Sequence, residues 1–187
     1  MTPLEEMLEE RRVIHARIVS GGFPITLYPW VSKAVFVAEC KKFGAIIEDR
    51  ATELLARSGV GLVTEKSMDK YVIVSARDIG LRGSNRRSAI YRRAREVGLQ
   101  ECHPQAGWEL LIPDGGYNRS PFTDVLIASE PIEEIGDDGV AKPHSHTLLF
   151  EIRGGNTMSL DSGRPEIVFR EERQWLFRVD SSSWAKN

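Results

Sequence analysis

Residues 70–104 read KYVIVSARDIGLRGSNRRSAIYRRAREVGLQECHP, and two periodicities meet inside them. The first seven, KYVIVSA, are rich in β-branched side chains that sit well on a pleated surface, and they predict a strand. Residues 85–97 instead place Ile90, Ala94 and Val97 at helical spacing, an apolar stripe on a helix that has to dock against a sheet. Ser84 is positioned to cap that helix, and Gly98 to end it. A strand followed by a helix would open a parallel βαβ unit if the alternation continued, but it stops here. Beyond residue 106 strand-like runs follow one another: Glu109–Ile112, Phe122–Ser129, Thr147–Ile152, Glu166–Arg170 and Trp175–Val179. Turn-rich stretches separate them: Pro113-Asp114-Gly115-Gly116, Gly136-Asp137-Asp138-Gly139, Gly154-Gly155-Asn156 and Asp161-Ser162-Gly163.

Upstream, the pattern is helical. Residues 3–19 predict an amphipathic helix capped by Thr2 with Glu5 three residues later, carrying Leu4, Met7, Leu8, Ile14 and Ile18 on one stripe. Phe23 to Trp30 contains Pro24 and Pro29, so it suits only a short or edge strand. Residues 31–58 read as two helical pieces broken near Gly44. Helices first and strands after predict an α+β fold, its N-terminal helices packed on one face of a mostly antiparallel C-terminal sheet. The expected organisation is a helix-rich region over 1–66, an α+β body over 67–180 and a loose tail over 181–187. Trp108, Trp175 and Phe177 fall at strand positions and are expected in the core of the sheet.

The chain has 187 residues, with 25 Lys+Arg against 27 Asp+Glu and a formal net charge of -2. That length supports one domain with a core needing neither disulfides nor structural metal. The near-neutral balance excludes a protein that coats nucleic acid through bulk charge. Cys40 and Cys102 are too few for a disulfide framework and read as buried thiols. The first ten residues carry four Glu and no apolar run, unlike a secretory signal, and no apolar stretch approaches membrane-spanning length. A cytoplasmic location and no membrane partner are expected.

The quoted stretch resembles a segment found in a group of bacterial proteins with no assigned function. In them a strand leads into a turn of the type Asp/Glu-Ile/Leu-Gly, then into a helix closing on Ala-Lys/Arg-Glu-x-Gly-Leu-Glu/Gln-x-Cys-Pro. Asp78-Ile79-Gly80, Ile90, Ala94 to Gln100 and Cys102 match, while His103 interrupts the closing Cys-Pro. The group continues with an apolar run ending Glu-Pro-Ile, matched by Val125 to Ile132. The resemblance covers about a third of the chain and implies a cytoplasmic bacterial protein. It supplies no catalytic residue.

Two patterns carry chemistry. Residues 139–155 read GVAKPHSHTLLFEIRGG, where His144 and His146 share one face of a strand and Glu151 follows, a donor set suited to a first-row metal. The spacing resembles the first motif of cupins, although four residues rather than five separate Gly139 from His144. Met158 also stands where that motif ends in Gly, and no His follows residue 146 to complete a second motif. On an unbroken strand Glu151 would face away from His146. The competing reading is a polar turn leading into a strand, and no cofactor is expected.

The second pattern is charge: between Arg77 and Glu96 there are seven Arg against two acids. Planar guanidinium forks suit phosphate and carboxylate, which makes Arg82, Arg86, Arg87, Arg92 and Arg93 the candidate anion- or partner-binding residues. At 100° per residue these side chains scatter around the helix, unlike a helix that enters a groove. Pairing with acids of a neighbouring element, such as the Glu-rich first helix or Glu133, Glu134, Asp137 and Asp138, is the competing reading. No Gly-rich phosphate loop and no nucleophilic Ser motif occurs, and the adjacent Cys102 and His103 would point apart on a strand. The function expected is therefore a non-enzymatic binding protein contacting an acidic protein partner or nucleic acid, with a homodimer through the first helix as a further partner. The alternative is a cupin-like metal-dependent enzyme or sensor on His144, His146 and Glu151.

Overall fold

The computed structural model describes residues 3–57, 59–112, 124–133, 140 and 147–180. In chain order the elements are α1 (Pro3–Ser20), β1 (Phe23–Leu27), α2 (Lys33–Lys42), β2 (Ile46–Ile47), α3 (Asp49–Arg57), β3 (Ser67–Ser75), β4 (Asn85–Arg86) and α4 (Arg87–Glu96). They continue with β5 (Leu99–Gln100), α5 (Gln105–Glu109), β6 (Asp124–Ile127), β7 (Ile132–Glu133), β8 (Thr147–Arg153), β9 (Thr157–Ser162), β10 (Val168–Phe169) and β11 (Gln174–Val179).

The fold is α+β around a mixed, mostly antiparallel sheet ordered β1-β3-β11-β6-β8-β9-β2, with β5 paired to β11 and β7 to β8. Among the described residues only the β11–β6 and β2–β9 pairs are parallel. β4 and β10 form a separate antiparallel ribbon. The sheet begins earlier than expected. β3 lies between β1 and β11 and β2 closes the opposite end, so the first half of the chain supplies both edge strands and an interior strand. β1 occupies one edge, where Pro24, lacking an N–H, is tolerated.

The helices are divided between both faces, a correction to the expected one-sided packing. Along β3 Tyr71 joins one core cluster and Val72 the other; along β11 Leu176 separates from Trp175 and Phe177; along β6 Leu126 separates from Val125 and Ile127. This alternation is the period of two in a strand buried on both sides. α2, α3 and α5 cover one face through Phe36, Val37, Cys40, Ala51, Leu54, Leu55 and Trp108. α1 and α4 cover the other through Ile14, Ile18, Ile90, Tyr91, Ala94 and Val97.

Three local expectations also change. Of residues 109–112, read as a strand, Glu109 closes α5 and 110–112 form the turn after it, and Trp108 is a helical residue packed onto the sheet, not a strand residue within it. α5 approaches so closely that a Cβ at Gly107 would collide with the Ile127 side chain. Ser84 does not cap α4, because Asn85 and Arg86 pair with β10 and Arg86 takes the cap position without a side-chain bond. On α1, Ile14 and Ile18 are buried, whereas Leu4, Met7 and Leu8 of the same stripe are 60 %, 38 % and 46 % exposed. Residues 4–10 of α1 are all exposed.

The residues behind the bacterial resemblance all serve the fold. Asp78 Oδ2 accepts from Ser75 N and Ser75 Oγ, both at 2.8 Å, closing the turn after β3. Ile79 is fully buried and Gly80 has φ of 89°. Gly98, with φ of 81°, ends α4 in the left-handed conformation that favours glycine.

Candidate functional site

The Arg77–Arg95 segment separates into arginines that hold the fold and arginines that do not. Arg77 bonds Glu171 at 2.5 Å and Glu172 at 2.7 Å, raising its own pKa and lowering that of Glu171. Glu171 also accepts from Gly83 N at 2.6 Å. Arg87 donates to the Gly163 carbonyl at 2.9 Å and lies over the Tyr91 ring. Arg93 is the most committed: it donates to the Ile79 carbonyl at 2.8 Å, to Glu96 at 3.0 Å and to Glu10 of α1 at 3.1 Å. Arg95 pairs with Glu101. These acids belong to α1, α4 and the segments after α4 and β10; Glu134, Asp137 and Asp138 lie outside the described residues. The scatter of Arg87, Arg93 and Arg95 around the helix thus has a physical reason, since each of the three finds a different intramolecular partner.

Arg86 and Arg92 remain exposed with no side-chain partner among the described residues, and exposed Arg82 feels only the field of Glu171. The β4–β10 register sets Arg86 directly opposite Val168, so their side chains share one face of the ribbon; exposed Arg170 follows just beyond β10. Phe169 faces the other way, into the core. A cleft of about 730 Å³ alongside is lined by Asp124, Val168, Phe169, Arg170, Glu172, Arg173 and Gln174.

Of the metal-reading residues, His144 and His146 lie outside the described residues. Glu151 is in β8, 1 % exposed, on the face that also carries Leu149. One of its oxygens pairs with Arg173 Nη2 and the other accepts from Arg153 Nε at 2.9 Å; Arg173 reaches on to Asp161 at 3.3 Å. Burial lowers the pKa of Arg173. A cation at Glu151 would have to displace a guanidinium and sit beside two positive charges. Among the described residues no group of three His, Cys, Asp or Glu side chains is arranged to hold a metal ion.

A second cleft, of about 610 Å³, is lined by Gly59, Val60, Pro104, Pro131 and Ile132 with Glu101, His103, Glu130 and Glu133 at its polar positions. Half-buried His103 accepts from Gln105 N at Nδ1, 3.2 Å, and burial lowers its pKa. The neutral ring therefore carries its proton on Nε2 and offers a donor there, not a base. Cys102 is buried, its pKa pushed up to about 12, and its Sγ donates to the Leu176 carbonyl at 3.4 Å. A thiolate–imidazole pair does not form, in keeping with the buried thiol expected at Cys102.

One polar knot has no precedent in the sequence reading. Gln105 and Glu109, i and i+4 on α5, are both buried. Glu109 Oε1 accepts from Tyr28 N, Trp30 Nε1 and Gln105 Nε2 at 3.2, 2.9 and 2.8 Å, while Gln105 Oε1 accepts from Val63 N at 3.0 Å. The knot ties the loops after β1 and α3 to the sheet. Its only signal was two long polar residues four apart in an apolar run.

Comparison with known proteins finds no matching family model, no matching curated protein and no matching solved structure. Among the described residues no helix is long and apolar enough to cross a membrane.

Proposed function

We propose that this chain is a non-enzymatic cytoplasmic binding protein that takes an acidic protein segment on the exposed arginines at and before α4: Arg82, Arg86 and Arg92. One observation carries the reading. The arginines of the segment divide into those consumed by intramolecular acids and carbonyls and those left without side-chain partners among the described residues. Exposed guanidinium groups not held in an ion pair favour association with the opposite sign.

The choice of protein over nucleic acid rests on what surrounds them. Exposed Val168 stands opposite Arg86, a surface that an apolar side chain of a protein segment can cover and a phosphate backbone cannot. A protein segment with alternating acidic and apolar residues meets a complement. Titrating the protein with a labelled Glu/Leu amphipathic peptide and with a labelled duplex, at low and moderate salt, tests this. Peptide binding lost in Arg86→Ala/Arg92→Ala is expected. Duplex binding with a steep log–log salt slope, and none to the peptide, overturns it in favour of nucleic acid.

A further inference from the structure

We infer that the groove between α2 and α3 binds a small apolar monocarboxylate, with the carboxylate on Lys33 and the hydrocarbon laid along Val37 and Leu55. The site is separate from the arginine surface and does not rest on the acidic-partner reading. Its shape comes from spacing on two helices. On α2, Lys33, Val37 and Lys41 are four apart with Ala34 and Ala38 beside them, so at about 100° per residue they share one arc. Thr52, Leu55 and Ala56 share an arc of α3 in the same way. Together these residues line a cavity of about 340 Å³, at the lower end of the roughly 300–1,000 Å³ of small-ligand sites. Buried Val37 and Leu55 make its floor, and the alanines leave it open.

The chemistry of the occupant follows from the lining. The walls are aliphatic apart from Thr52, and both ionic side chains that reach the cavity are lysines. No carboxylate lines it: Glu39 pairs with Lys42 at 3.4 Å, and Glu53 lies outside the lining. Half-buried Lys33 donates from Nζ to the Leu55 carbonyl at 2.7 Å, which anchors the ammonium beside the end of α3. An ammonium carries three donors, so a carboxylate can be added to that bond. Burial lowers the pKa of Lys33, a penalty on its charge that an adjacent anion offsets. Exposed Lys41 lies about 12 Å further along the helix axis and attracts the same sign. A small hydrophilic anion gains nothing from the aliphatic walls, and a neutral hydrocarbon gains nothing from Lys33. An apolar carboxylate uses both.

Isothermal titration calorimetry of the full chain with sodium octanoate, a probe slightly shorter than that span, tests this. One octanoate per chain is expected, with octan-1-ol bound on the order of tenfold more weakly because it brings no charge to Lys33. Lys33→Met keeps an aliphatic stem and removes most of the preference for octanoate over octanol. Ala38→Phe fills the groove from an exposed position and removes binding of both. Because Lys33 also holds the end of α3, urea midpoints of the variants are measured alongside, and the octanoate–octanol comparison on the wild type stands without any variant. No saturable binding at millimolar octanoate overturns the inference, as does octanol bound as tightly as octanoate. Octanoate binding that survives Ala38→Phe, or a Lys33→Met chain that keeps the full preference, overturns it too, since either places the ligand elsewhere.

Discussion

The two faces of the sheet have aromatic cores of similar build and treat their polar groups differently. Under α2, α3 and α5, Trp108 packs edge-on against Phe150 at 5.2 Å and tilted against Phe36 at 6.0 Å. Under α1 and α4, Trp175 meets Phe169 at 4.9 Å and Tyr91 at 5.7 Å, again edge-on. On the first face the buried polar side chains of α5, Gln105 and Glu109, bond inward to backbone and indole groups of neighbouring loops. On the second, ion pairs tie helix to helix and turn to strand around the rim, and Arg86 and Arg92 are left over. The second face spends Glu151 inward as well, but Arg86 and Arg92 keep no side-chain partner among the described residues, and the proposed function follows from that difference.

The largest expected effect tests whether the α5 face is a closed core. Trp108 is fully buried and joins Phe36 to Phe150, so Trp108→Ala should cost about 3–5 kcal/mol through lost transfer energy and a cavity that packed neighbours cannot refill. Trp108→Phe sharpens the test. The indole N–H finds no acceptor among the described residues, so the smaller ring removes an unsatisfied donor along with some volume, and its cost should stay below about 1.5 kcal/mol. Urea unfolding of both variants measures the pair. If the Ala variant loses under about 1 kcal/mol, this face is not the tight layer described.

What was legible before the structure follows the same division. β3, β6, β8 and β11 announce themselves through β-branched and aromatic runs, and the Ile90–Ala94–Val97 stripe is buried as its spacing required. α5 was not legible, because five residues are too few to show a helical period, and what seats it is the missing side chain of Gly107 against Ile127, a tertiary fact. β9 was missed because its alternate residues Ser159 and Asp161 face Glu151 and Leu149 across the ladder, at a charged end of the sheet where an apolar alternation would be wrong. The exposure of Leu4, Met7 and Leu8 was hidden for another reason: spacing tells which residues share a stripe, not how far along it the stripe is covered. The scatter of the arginines was visible in the spacing, but the positions of Glu10, Glu101 and Glu171 were not. Which cations remain free could be learned only from the fold.

A smaller effect concerns the boundary between charge that is spent and charge that is free. Glu151→Gln leaves Arg173 with only Asp161 and Arg153 without its neighbour's carboxylate, in a position where Glu151 itself is almost wholly buried. Removing one member of a buried pair typically costs 3–5 kcal/mol; with Arg173 a quarter exposed and keeping Asp161, about 2–3 kcal/mol is expected here. Arg92→Ala, by contrast, should change stability by less than about 0.5 kcal/mol, since nothing in the described fold uses that side chain. Equal losses in the two variants, measured as urea midpoints at constant slope, would erase the distinction between structural and available charge.

The smallest effect is a pH dependence carried by His103 in the cleft on the α5 side. Burial lowers its folded pKa, and Nδ1 already accepts the Gln105 N–H, so the native state favours the neutral ring. The unfolded chain titrates near 6.5. Above that value neither state binds the proton and this residue leaves stability independent of pH. As pH falls through about 6.5 the unfolded chain takes up a proton that the folded chain refuses, so stability declines until the folded pKa is reached and then levels off. Glu171, whose pKa is lowered by Arg77, loses its contribution only further into acid, below the ordinary carboxylate range, and does not overlap this window. Subtracting the profile of His103→Gln from that of the wild type between pH 5 and 7.5 isolates the residue, because every other group is common to both. The difference should grow steadily on acidification, with the wild type losing more. A difference of the opposite sign would mean that His103 gains a proton on folding, and that the carboxylates of Glu101, Glu130 and Glu133, not burial, set its charge.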